Sequence, residues 1–174
     1  MLEYYGRTLV ELATRDDVDL GRVAVCGTSL GGDYAARAAS FEHRLAAAIS
    51  HGAIWSVNEL WGDAGEEHGL AGHIKWVFGT STMEDALEKG EDFKLEGVLG
   101  NMKCPYLIVH GGHDVLGVRQ ANTVYEHARE SGVDVTIKFL TEEETGAERG
   151  PDRQRHGQAQ GMADHQRLRR AGGD

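Results

Sequence analysis

The chain has 174 residues and a mass of 18.9 kDa, the length of one ordinary domain, which excludes a multidomain machine. Hydrophobic residues make up 40% of it and charged residues 26%, enough apolar material for a core, and 24 glycines against two prolines exclude collagen-like and proline-rich classes. A formal charge of −10 repels phosphate backbones and anionic lipid headgroups, so neither nucleic acid nor a membrane is an expected partner.

Leu2, Tyr5, Leu9 and Leu12 share one helical face, which predicts a first helix ending near Arg15. Arg22–Cys26 reads as a short buried strand. The glycine-rich run from Gly27 to Gly32 breaks it, and a small-residue helix is expected from Tyr34 to Phe41. Leu45–Ser50 is a second strand candidate, Tyr106–His110 a third and Val133–Leu140 a fourth. Val118, Ala121, Tyr125 and Ala128 mark an amphipathic helix between the last two. Strands alternating with helices imply parallel pairing in an α/β layer fold.

Residues 51–100 form an excursion between the second and third strands. Its first part holds all three tryptophans, Trp55, Trp61 and Trp76, with Phe78. It reads either as a cap-like lid whose aromatics line an apolar pocket or as packing against the outer face of the sheet. After residue 148 the composition changes: residues 149–174 carry six arginines and three aspartates, a net +3 that leaves −13 for residues 1–148. With Met162 and Leu168 as its only large apolar residues, that tail is expected to be solvated and disordered.

Two patterns carry chemistry. Gly27-x-Ser29-x-Gly31 is a nucleophile-elbow spacing, in which small residues let the chain turn sharply and hold a serine hydroxyl clear of the sheet. With this glycine content the spacing arises by chance about one time in ten, so its context decides. A buried strand before it and a helix after it meet the demands of an elbow. A serine hydroxyl then needs a base within hydrogen-bond reach and a carboxylate to orient that base.

The second pattern is His110-Gly-Gly-His-Asp114, at the end of a strand. Asp114 is the candidate orienting acid. It also reads as a cap for the following helix, and His110 with His113 as part of a metal site, but no motif supplies a third ligand. No metal and no cofactor are expected. Cys26 and Cys104 are too few for a disulfide scaffold and are expected as buried free thiols. With no basic leader followed by an apolar run, and no apolar run near the ~18 residues that span a bilayer, the expectation is a cytoplasmic protein.

Gly27-Thr-Ser-Leu-Gly-Gly32 followed by Gly111-Gly-His-Asp114 resembles the α/β-hydrolase superfamily. Phe93–Pro105 and Glu144-Thr-Gly-Ala-Glu148 look like a narrower group within it. That group contains 2,6-dihydroxypseudooxynicotine hydrolase and the fungal pigment-pathway hydrolases that shorten polyketides. The resemblance covers residues 1–148 and implies the C-terminal half of the fold: about four parallel strands with flanking helices, in an incomplete sheet.

It further implies cleavage of a carbon–carbon bond beside a ketone, or of an ester or amide, in a small molecule with a carbonyl group. Ser29 would be the nucleophile, Asp114 the orienting acid and the Leu30 N–H one oxyanion donor. The family's histidine follows Gly-Ala-Glu directly, where this chain has Arg149, a side chain that keeps its proton and cannot act as a base. His156 is the candidate substitute, ahead of His165. The expectation is a truncated serine hydrolase, weakly active or inactive. The alternative is a non-catalytic remnant that pairs with a second copy through an exposed sheet edge at the nucleophile strand.

Overall fold

The computed structural model describes residues 2–62, 66, 67 and 69–144; the tail from residue 149 and its histidines lie outside them. Helix α1 (Leu2–Leu12) leads to strand β1 (Ala24–Thr28), helix α2 (Leu30–Phe41) and strand β2 (Ala47–His51). Three short helices follow, α3 (Val57–Trp61), α4 (Ala71–Phe78) and α5 (Met83–Lys89). Strand β3 (Tyr106–Gly111), helix α6 (Val115–Glu130) and strand β4 (Val135–Leu140) complete the described chain. Among these residues no helix is long and apolar enough to cross a membrane.

The four strands form one parallel sheet in the order β1-β2-β3-β4. Thr28 lies opposite His51, and His51 opposite Val109, so β1, β2 and β3 all end at the same rim. Parallel strands need crossovers: α2 and α6 supply two, and the three-helix excursion supplies the third. Alternate residues of the strands face the helices. Val25, Ala48, Tyr106 and Ile108 are buried in the main core with Ala35, Ala36 and Ala39 of α2 and Ala121 and Val124 of α6. Alanines at those helix positions let α2 lie close to the sheet.

The excursion has its own small core of Ala71, Ile74, Met83 and Ala86, with Trp61 and Phe78 against it. Its three tryptophans have three different fates. Trp55 belongs to the main core and stacks on His127 at 4.2 Å between ring centroids. Trp61 packs on the small core, and Trp76 is 78% exposed. Gln120 of α6, buried, ties the excursion to that helix, since its Oε1 accepts from the Trp55 N–H at 2.9 Å and the Ser56 N–H at 3.1 Å.

Three expectations need correction. The strand before the elbow runs through Gly27 to Thr28 rather than stopping at Cys26, and α2 starts at Leu30 rather than Tyr34. Gly31 and Gly32 thus belong to the first turn of α2. Cys26 is exposed, whereas Cys104 is buried. The reason lies in the sheet order: β1 is an edge strand, and only Val25 of its Ala24-Val-Cys26 segment turns toward the helices and is buried.

Candidate active site

Ser29 joins β1 to α2 with φ 58° and ψ −123°. Among the described residues it is the only non-glycine with a positive φ, a conformation that costs an L-residue about 1–3 kcal/mol and persists only where the surroundings impose it. Here they do. The Ser29 N–H donates to the His51 carbonyl at 2.8 Å, and the Gly32 N–H donates to the Ser29 carbonyl at 2.7 Å.

A Cβ on Gly27 would lie 1.8 Å from the Gly31 carbonyl oxygen, and one on Gly32 would lie 3.0 Å from the Gly52 carbonyl oxygen. A Cβ on Gly31 would meet nothing within 4 Å. The steric need read into Gly31 therefore falls on Gly32, and Gly31 contributes its carbonyl group. Leu30 opens α2, where an N–H has no acceptor within the helix and the dipole favours negative charge.

Beneath the turn lies a buried polar cluster that the sequence reading missed. The Tyr106 hydroxyl donates to Ser50 Oγ at 2.8 Å, and Ser50 Oγ donates to the Gly32 carbonyl at 2.7 Å. This relay ties β3 and β2 to the first turn of α2. Asp33 is 1% exposed, and neither of its carboxylate oxygens meets a hydrogen-bond partner. Burial pushes its carboxyl up to about 6, against the pull of the Arg37 charge. Burial likewise holds the Tyr106 phenol above its ordinary range, opposed by the Ser50 hydrogen bond and reinforced by Asp33. An aspartate among Gly32, Ala35 and Ala36, on the face that packs against the sheet, is the signal that could have revealed the cluster.

Asp114 follows β3 and caps α6, its Oδ1 accepting from the Gly117 N–H at 3.0 Å. Its Oδ2 faces Nε2 of the buried His110 at 3.2 Å. The capping role is thus real, and it leaves Asp114 at the same rim as Ser29, two strand spacings away, about 10 Å between strand axes. His113 is half exposed, with Nε2 3.6 Å from Glu142 Oε1, so His110 and His113 do not converge. Among the described residues no three metal-ligating side chains come together. His156 and Arg149 lie outside the described residues.

Beside Leu30, the first helices of the excursion close over α2. Leu30, Tyr34, Val57, Trp61, Ile74 and Phe93 are among the residues lining a narrow apolar cleft of about 30 Å³. By that measure a water needs roughly 10–15 Å³, so the cleft as it stands admits a small apolar group. Trp61 lines it, while Trp55 is committed to the core and Trp76 to solvent.

No family model matches the chain. It is 34% identical over 136 residues to a 2,6-dihydropseudooxynicotine hydrolase of Paenarthrobacter nicotinovorans, covering 71% of this chain and 34% of that protein. It is 32% identical over 143 residues to a 20-hydroxy-prefusarin hydrolase of Gibberella moniliformis, covering 61% of this chain and 34% of that one. The chain spans about a third of the length of these curated relatives. Its structure overlays the crystal structure of a 2,6-dihydroxy-pseudo-oxynicotine hydrolase with a TM-score of 0.69 at 28% identity, over 80% of this chain and 39% of that one. An acylaminoacyl peptidase of Pyrococcus horikoshii shares the fold, with a TM-score of 0.57 at 22% identity over 76% of this chain and 21% of its own. The chain belongs to the α/β-hydrolase superfamily, and its four parallel strands and flanking helices are part of that fold.

Two substitution tests follow from this geometry. Gly27→Ala forces a Cβ into the Gly31 carbonyl and should cost at least ~2 kcal/mol in urea denaturation, while Gly31→Ala, with open space around it, should fall within about 1 kcal/mol of wild type. Equal costs would contradict the packing described. Asp33 has a folded-state pKa raised from its usual 3.8 to about 6, so its protonated form favours folding. Its contribution is full below about pH 4 and is lost as pH rises through 6, about 3 kcal/mol at 1.36 kcal/mol per pH unit. Asp33→Asn should therefore gain roughly 2–3 kcal/mol relative to wild type between pH 4 and pH 7.5; a mutant-to-wild-type difference that is the same at both pH values would rule this out.

Proposed function

We propose that this chain carries the nucleophile and the orienting acid of a serine hydrolase acting on a small molecule with a carbonyl group. The observation that carries the reading is the backbone of Ser29, at φ 58° and ψ −123°, since an enforced strain of this kind at a strand–helix turn is the form of a nucleophile elbow. Membership in a hydrolase superfamily and similarity to two small-molecule hydrolases support it. In this scheme Ser29 Oγ bonds the carbonyl carbon while a base takes its proton, and the Leu30 N–H donates to the oxyanion. The bond to the leaving group then breaks, and that group takes the proton from the base. Water, giving a proton to the same base, attacks the acyl carbon, and the bond to Ser29 Oγ breaks as that oxygen takes the proton back from the base.

Asp114 orients the base, and His156 is the candidate for that role in this chain. Because Arg149 stands where the resemblance places the histidine, turnover by these 174 residues is expected to be weak. The substrate is an ester, an amide or a ketone cleaved at the adjoining carbon–carbon bond, with a small apolar group seated in the cleft beside Leu30. A second reading rests on the edge position of β1, with Ala24, Cys26 and Thr28 exposed: the chain acts without turnover, pairing through that edge with a second copy.

Incubation with a fluorophosphonate probe and peptide mapping separates the two. The serine-hydrolase reading expects an adduct on Ser29, abolished in Ser29→Ala and slowed at least roughly tenfold in Asp114→Asn and His156→Gln. Folded, monodisperse protein that takes up no probe would refute it. A concentration-dependent dimer in sedimentation that persists in Ser29→Ala is the result the second reading requires, and a strict monomer would end it.

A further inference from the structure

The pairing of His110 with Asp114 is absorbed neither by the nucleophile nor by the cap. His110 lies near the end of β3, opposite Phe139 of β4, with its side chain only 3% exposed. Its Nε2 is 3.2 Å from Asp114 Oδ2, and its Nδ1 is buried without a partner. The contact is closed from the side of α6 as well, because a Cβ on Gly117 would lie 2.1 Å from His110 Nε2 and 2.5 Å from Asp114 Oδ2. The bonding assigns the tautomer: Nε2 carries the hydrogen, since it faces a carboxylate oxygen, and Nδ1 keeps its lone pair. A second ring N–H would be a buried donor with no acceptor, a costly arrangement.

We propose that His110 is a positioning residue for Asp114, holding the carboxylate in the orientation in which it accepts from the catalytic base. This rests on the serine-hydrolase reading above. The two oxygens of a carboxylate offer about four acceptor sites. The Gly117 N–H occupies one on Oδ1 and the His110 Nε2–H one on Oδ2, and two contacts on different oxygens fix the rotamer. A cap alone needs only the Gly117 contact. A neutral imidazole also leaves the full negative charge on Asp114, which is the charge that orients and stabilises a protonated base.

The test is the kinetics of fluorophosphonate labelling at Ser29 in wild type, His110→Phe and His110→Gln, with nitrogen-15 NMR of the His110 ring. The expected result is a maximal labelling rate about tenfold lower in His110→Phe at unchanged half-saturation, and a rate restored to within about threefold of wild type in His110→Gln, whose amide supplies the same donor. The NMR should show a neutral Nε2–H ring whose shifts move in Asp114→Asn. Labelling that ignores both His110 substitutions overturns this inference and leaves the hydrolase reading standing, as does an Nδ1–H ring. If His110→Phe fails to fold, a His110→Gln rate well below threefold of wild type overturns it. No labelling of wild type overturns the hydrolase reading and this inference with it.

Discussion

A serine backbone at φ 58° is a local loss that only its neighbours can offset, and much of the described structure can be understood as those neighbours. The Ser29 N–H is held by the end of β2, its carbonyl by the first turn of α2, and the room for the turn comes from a missing side chain at Gly27. The relay from Tyr106 through Ser50 to the Gly32 carbonyl then anchors that first turn to two strands. Each contact depends on parallel register, because only parallel strands bring Thr28, His51 and Val109 to one rim.

The same rim receives Asp114 from the loop after β3, so Ser29 and Asp114 arrive on separate crossovers but at one end of the sheet, where α/β folds build their sites. The two sides are built differently. The Ser29 turn is held by backbone hydrogen bonds and by a buried relay of hydroxyl groups, and Asp114 by its cap contact and a buried imidazole. To one side, over Leu30, lies the apolar cleft under the three-helix excursion. Asp33 adds a buried carboxyl beneath the elbow whose neutral form suits its surroundings better than its charge, which links the strength of this foundation to pH.

Much of the fold was legible in the sequence because its signals are local. Short apolar runs marked the first three strands and alternation the fourth, helical spacing marked α1 and α6, a run of small residues marked α2, and the glycine spacing marked the turn. The misjudged features depend on partners distant in the chain. Cys26 reads as buried from its apolar neighbours, but an edge strand exposes alternate residues, and strand order is not a local property. Gly31 and Gly32 look alike in sequence, and only the approach of Gly52 shows which of them needs to be glycine. The three tryptophans likewise form one cluster in sequence and three environments in space, since α6 claims Trp55 and leaves Trp76 to solvent. Of the site, Ser29, Leu30 and Asp114 stand at one rim, whereas the Ser50–Tyr106 relay and the Asp114–His110 contact join residues whose meeting depends on register and on the turn after β3.

The strain at residue 29 can be measured without substrate or probe, by comparing Ser29→Gly with Ser29→Ala in equilibrium urea denaturation. Both remove the hydroxyl, but alanine keeps the Cβ that makes φ 58° and ψ −123° unfavourable, whereas glycine adopts that conformation freely. Glycine normally lowers stability by roughly 0.4–1 kcal/mol through the unfolded chain, and relief of about 1–3 kcal/mol of strain reverses that order. The account predicts that Ser29→Gly is more stable than Ser29→Ala by about 1 kcal/mol; an alanine variant as stable as the glycine one, or more so, would contradict an enforced elbow.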